Sequence, residues 1–129
     1  MHLWIGTSSF QYTEWKGTFY PEDLPTTKML PFYAERLATT EINYSFHRIP
    51  SAKTMENWWK ATPENFKFSV KAHQRITHIK KLKAAADDAR GFLSSLQLLS
   101  EARKLGMVLF QLPPYLKADI SLLDRKSVV

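Results

Sequence analysis

The sequence predicts an α/β fold, an incomplete TIM-like (β/α) barrel holding the first four parallel strands and their outer helices. Three observations predict it. Short apolar runs near positions 3, 40, 66 and 107 alternate with stretches of helical periodicity. That β-α-β-α-β-α-β order calls for a parallel sheet covered by helices. One unit takes about 35 residues, so eight would take about 280, close to the about 250 of a closed (β/α)8 barrel.

The first run, Leu3-Trp4-Ile5, is closed by the loop-forming cluster Gly6-Thr7-Ser8-Ser9. An aromatic loop from Phe10 to Pro25 carries Tyr12, Trp15, Phe19 and Tyr20. It reads as a plug between the loop and the rim of the sheet, with a stacking platform for a sugar or base as the alternative. Thr26 or Thr27 is placed to cap a helix in which Met29, Leu30, Tyr33 and Leu37 recur on one face. Pro31 is tolerable there, since N–H groups of the first turn have no intrahelical acceptor.

The second strand is Thr40-Glu41-Ile42-Asn43-Tyr44, and Ser51 caps a helix containing Met55, Trp58 and Trp59 that stops before Pro63. In the third strand, Phe66 to Lys71, the residues Phe66, Phe68 and Val70 share one face. A third helix runs from about Asp87 to Leu105 with Phe92, Leu93, Leu96, Leu99 and Ala102 as its stripe and Gly106 as its C′ residue. Met107 to Leu112 form the fourth strand, before Pro113-Pro114. Four strands cannot close a barrel, so two edges and half a core are expected to lie open. Residues 1–123 are therefore expected to be the N-terminal half of the barrel domain. Asp119 to Leu123 could begin another helix, and residues 124–129 break its pattern and read as a truncation scar or foreign tail. The alternative is a half-barrel complete in itself that dimerises.

Composition supports a folded, soluble chain. Of its 129 residues 44% are hydrophobic and 23% charged, which excludes disordered and fibrous classes. No cysteine is present, so disulfides and thiolate metal sites are excluded. No apolar run approaches the about 20 residues of a bilayer span. The N-terminus has no basic region followed by a long apolar one, so no signal peptide is expected and the cytoplasm is the expected compartment. The net charge of +6 permits attraction to phosphate-bearing partners.

With the strands placed, several segments resemble the YecE-like family, the domain of unknown function seventy-two. They are Ile5-Gly6-Thr7-Ser8-Ser9-Phe10 with Tyr12 and Trp15-Lys16-Gly17, Phe19-Tyr20-Pro21, Phe32-Tyr33-Ala34, and Glu41-Ile42-Asn43-Tyr44-Ser45-Phe46. Further along come Pro50-Ser51, Thr54-Met55-Glu56-Asn57-Trp58, Phe68-Ser69-Val70-Lys71-Ala72, Thr77-His78, and Leu109-Phe110-Gln111-Leu112-Pro113-Pro114. The resemblance implies a TIM barrel of roughly twice this length. It implies no reaction, because the family's activity is unsettled. Phe10 stands where many relatives carry Trp, keeping an aromatic ring but no indole donor.

In such barrels function sits at the C-terminal ends of the strands and in the loops that follow. That rule selects Thr7, Ser8, Glu41, Asn43, Lys71 and Gln111, with Tyr12 and His78 added from the neighbouring loops. Glu41 and Asn43 are two apart and so share a side of their strand. Glu41 is the candidate general acid or base. Lys71 is the candidate anion holder, base or Schiff-base nucleophile. Asn43 and Gln111 would orient hydroxyls or carbonyls. The competing structural reading is a buried Glu41–Lys71 ion pair with amides that satisfy backbone groups.

The stretch Lys67 to Lys83 holds six basic residues, no acidic ones, and His73 and His78. It reads as a solvated charge run or as a phosphate or nucleic-acid clamp built on Lys71, Arg75 and His78. His2, His47, His73 and His78 show no metal-ligand spacing, so no metal is expected, although Glu41, His47 and His78 could meet across strands. No Gly-rich phosphate loop, GxSxG elbow or Ser-His-Asp set is present. Trp58 and Trp59 read as packing residues rather than ligand contacts. The functional expectation is an enzyme acting on a small polar, anionic or sugar-like molecule, its cofactor and oligomeric state open. The alternatives are a nucleic-acid-binding module using residues 67–83, or a truncated chain inactive in isolation.

Overall fold

The computed structural model describes residues 3–124; residues 1–2, His2 among them, and 125–129 lie outside these. Four strands form one sheet in the order β1-β2-β3-β4, every neighbouring pair parallel. They are β1 (Gly6–Ser8), β2 (Thr39–Ile42), β3 (Lys67–Lys71) and β4 (Leu105–Leu109). The helices are α1 (Met29–Ala34), α2 (Tyr44–His47), α3 (Ala52–Lys60), α4 (Ala86–Ser95), α5 (Gln97–Glu101) and α6 (Ile120–Asp124). Parallel pairing points every C-terminal strand end the same way, which brings distant residues to one rim.

Alternation sorts the strand residues. Thr40, Ile42, Phe68 and Val70 are buried against the helical layer, while Glu41, Lys67, Ser69 and Lys71 point to the opposite, uncovered face. Met29, Leu30 and Tyr33 of α1, Met55 of α3, and Phe92, Leu96 and Leu99 of the α4–α5 segment join the buried strand residues in one core. Each large apolar side chain so buried contributes about 1.5–3 kcal/mol. The aromatic loop folds onto α1: Tyr20 is 1% exposed, and Trp15, Phe19, Tyr20, Phe32 and Tyr33 stack edge and face with centroids 4.9–6.0 Å apart. This is the plug rather than the platform. The Tyr20 hydroxyl donates to the Phe10 carbonyl at 2.5 Å, and burial beside Tyr33 pushes its pKa up to about 12.

Several element ends differ from expectation. The first strand is Gly6–Ser8, not Leu3–Ile5, whose side chains are 48–69% exposed. Close approach decides this: a Cβ on Gly6 would sit 1.8 Å from the Thr39 carbonyl oxygen, so only glycine lets β1 meet β2 there. Thr26 and Thr27 do not cap α1; a single 3-10 turn, Thr26–Lys28, leads into it after Pro25. Ser51 does cap α3, its Oγ accepting from the Thr54 N–H at 3.1 Å.

The long third helix is two, interrupted at Leu96, and it ends at Glu101. Gly106 is not its terminator. Arg103 takes the left-handed backbone (φ 56), Arg103 N–H donates to Ser100 O, and Lys104 N–H donates to Leu99 O, the two bonds of a Schellman ending. Gly106 lies within β4 instead, where an added Cβ would come 3.3 Å from Lys67 Cβ. The fourth strand therefore starts and ends earlier than its apolar run suggested. Lys104 is 3% exposed and donates to Thr62 O and Pro63 O, tying the end of α3 to the start of β4; burial lowers its pKa. Asp124, expected in the tail, is the last residue of α6, whose Leu122 N–H donates to the Asp119 carboxylate at 3.0 Å.

Candidate functional site at the rim of the sheet

Register sets the site. Ser8 pairs with Glu41, Glu41 with Ser69 and Ser69 with Met107, so these four stand in one row across the uncovered face. Lys71 pairs with Leu109 one step nearer the C-terminal rim. Asn43 follows β2 but leaves the strand with helical backbone (φ −90, ψ −21), starting α2. The expected alternation of Glu41 and Asn43 along one strand is therefore wrong in its cause. The two are brought together through a third residue: Asn43 Nδ2 donates to Ser8 Oγ at 2.6 Å, and Ser8 Oγ donates to Glu41 Oε1 at 3.1 Å. This chain of donors ends on the carboxylate and fixes which of its oxygens is engaged.

An open hollow of about 520 Å³ lies over that end of the sheet, lined by Ser8, Glu41, Asn43, Lys71 and Gln111 together with Tyr44, Phe46 and His47 of α2. Five predicted residues from four successive strand ends thus share one concavity. Among the described residues no ion pair joins Glu41 to Lys71, and neither pairs with another charged side chain. The predicted buried Glu41–Lys71 pair does not form. Lys71 Nζ instead sits 4.8 Å from the centroid of the Phe46 ring, a contact worth about 0.5–1 kcal/mol at an exposed position.

The other three predicted residues lie beside the hollow. Thr7 faces the helical layer: its N–H donates to the Tyr33 hydroxyl at 2.8 Å and its Oγ1 to Ser9 O at 2.6 Å. Successive strand residues point to opposite faces, so Thr7 and Ser8 cannot both reach the rim. The Tyr12 hydroxyl donates to Ser8 O at 2.7 Å and its ring packs on Trp15, so it braces the end of β1. His78 Nδ1 pairs with Thr77 Oγ1 at 2.8 Å, its ring edge-on to Phe46 at 4.9 Å.

The basic stretch is divided among separate partners. Asp88, on α4, meets Arg75 at 2.7 Å and Lys80 at 2.5 Å, and those hydrogen bonds, Lys80's first, hold its carboxyl below the usual carboxylate range. Lys67 donates to Arg103 O at the opposite end of the sheet, and Lys81 lies over Tyr115. The six cations of this stretch are dispersed rather than gathered into one clamp, and two share a carboxylate from outside the segment. His73 accepts from the Arg75 N–H at Nδ1 (3.1 Å), so Nε2 carries the proton toward His47 O at 3.1 Å. That histidine pins the loop to α2. No group of three or more His, Asp or Glu side chains suited to a metal ion gathers among the described residues. No helix there is long and apolar enough to cross a membrane.

The sequence profile of a family described as "Protein of unknown function DUF72" matches residues 4–127. The chain belongs to this family. It is 35% identical over 102 residues to the UPF0759 protein YunF of Bacillus subtilis, covering 76% of this chain and 36% of that protein. A crystal structure of a DUF72 family protein from Thermotoga maritima superposes with a TM-score of 0.80 at 28% identity, over 94% of this chain and 48% of that one. Another, from Enterococcus faecalis, gives 0.64 at 26% identity, over 77% and 42%. This DUF72 chain thus spans less than half the length of the relatives it matches.

Sequence reasoning missed Tyr44 and Phe46 of α2 as lining of this hollow, and considered His47 only as a cross-strand metal ligand. The segment was read as strand and loop, yet Asn43 is a favoured residue for the position before a helix. What locks α2 is less legible: buried Ser45 Oγ lies 2.6 Å from Lys71 O and 3.0 Å from Ile42 O.

Proposed function

We propose that the rim hollow is the binding and proton-transfer site of an enzyme acting on a small, polar, anionic molecule, and that this chain supplies the first four strand units of that enzyme's barrel. The observation that carries it is a carboxylate and an ammonium in one concavity, unpaired with each other, at the strand ends where barrel enzymes hold their chemistry. A buried ion pair would be a structural device; two separate charges facing a hollow are available to a ligand. The uncovered face, with Trp4 48% and Met107 65% exposed, supports the half-barrel reading.

Lys71 takes the anionic group, its flexible stem and three donors suiting an oxygen cluster. Glu41 accepts a proton from a substrate hydroxyl or activated carbon and returns it, with Ser8 and Asn43 holding its other oxygen in place. Gln111 orients a substrate hydroxyl or carbonyl from β4's side. The cytoplasm is the compartment this reading assigns.

The test titrates the isotope-labelled chain with inorganic phosphate at low ionic strength. Saturable shifts are expected for the amides of Asn43, Ala72 and Gln111. Lys71→Met should weaken binding at least about tenfold, and Glu41→Gln should strengthen it about two- to fivefold by removing a like charge. Equal affinity for the Lys71→Met chain would overturn the assignment.

A further inference from the structure

A second hollow, of about 350 Å³, opens next to the first between the ends of β1 and β2 and the face of α3. Asn43 and Tyr44 line both, so the two concavities share a wall. Their chemistry differs sharply. The rim hollow holds Glu41, Lys71 and His47; no charged side chain lines the second. It offers the side-chain amides of Asn43 and Gln11, the hydroxyls of Ser9 and Thr54, and the rings of Tyr44 and Trp58. Thr54 and Trp58 are four apart on α3 and therefore face it together.

Several polar groups here are uncommitted. Trp58 is half-buried, its ring packing on Phe68 at 6.0 Å, and its indole N–H makes no hydrogen bond among the described residues. The Gln11 amide and Tyr44 hydroxyl likewise make none. Ser9 holds a left-handed backbone (φ 66) while its N–H donates to Glu41 O at 2.9 Å, a conformation of the kind that collects at binding sites.

Aromatic faces accept the apolar side of a ring, and amides and hydroxyls both donate and accept, as do the O–H groups of a polyol. The volume falls within the about 300–1,000 Å³ of small-molecule sites. We propose that this hollow is a subsite for an uncharged polyhydroxylated ring, a sugar, and that the ligand spanning both hollows is a sugar bearing an acidic group. The subsite stands on its own lining; only the acidic group rests on the function proposed for Lys71.

The experiment compares inorganic phosphate, glucose and glucose 6-phosphate, reading affinity together with the Trp58 indole resonance. Glucose 6-phosphate is expected to bind at least about tenfold more tightly than phosphate and to move that resonance. Gln11→Ala, at an exposed position, should remove most of the advantage while leaving phosphate binding unchanged, and Trp58→Phe, which keeps the contact with Phe68, should reduce it. Glucose moving the indole with no phosphate binding would uphold the subsite and remove the role of Lys71. Phosphate binding with the indole unmoved by either sugar would remove the subsite and leave Lys71 its role.

Discussion

The two faces of the sheet are made by alternate residues of the same strands, yet they do different work. Toward the helices, Phe68 and Val70 are fully buried and Ile42 is 4% exposed. On the other face Glu41, Ser69 and Lys71 lie within one or two positions of them and remain partly open. Burial on one side leaves the other side free to carry polar groups whose packing contributes little. The covered and open faces are separated by one residue step, so substitutions on the two should differ sharply in their effect on stability.

The largest expected effect is on the covered face. Phe68→Ala should cost about 3–5 kcal/mol in denaturant unfolding, through lost burial and the cavity left between Phe66 and Trp58. A loss under about 1 kcal/mol would mean that this face is not the core. The aromatic plug sharpens the comparison through pH. Tyr20 holds its proton more tightly folded (about 12) than unfolded (10.0), so its contribution is complete below pH 10 and is lost as pH rises through 12. Unfolding measured at pH 9 and above pH 12 should differ by ~2–3 kcal/mol from this group, and Tyr20→Phe should flatten that decline. A smaller loss, about 1–3 kcal/mol, is expected for Gly6→Ala, since the new methyl meets the Thr39 carbonyl and must push β1 from β2. On the open face, Gln111→Ala should change stability by less than about 0.5 kcal/mol.

Much of this division was legible because it follows period two: Phe66-Lys67-Phe68-Ser69-Val70-Lys71 names both faces of β3. Strand ends were less legible. Backbone pairing does not require apolar side chains, so Gly6-Thr7-Ser8 pairs where Leu3-Trp4-Ile5 was expected to. Likewise Arg103 ends α5 through a left-handed backbone that nothing in its side chain announces. The rim residues were found from the strand-end rule, but their connection was not. Ser8 joins Asn43 to Glu41 across 35 and 33 residues of chain, a separation no local pattern encodes. In the basic stretch the charge run was legible but its counter-ion was not: Asp88 lies beyond its end in sequence and against it in space.

The central claim is that Glu41 and Lys71 share a hollow without being each other's partner. A double-mutant cycle in denaturant, using Glu41→Gln, Lys71→Met and the two combined, tests it most directly. A coupling energy below about 0.5 kcal/mol is the result this account predicts, because the two charges face the open hollow without pairing. A coupling of about 1–3 kcal/mol would show a structural ion pair and contradict it.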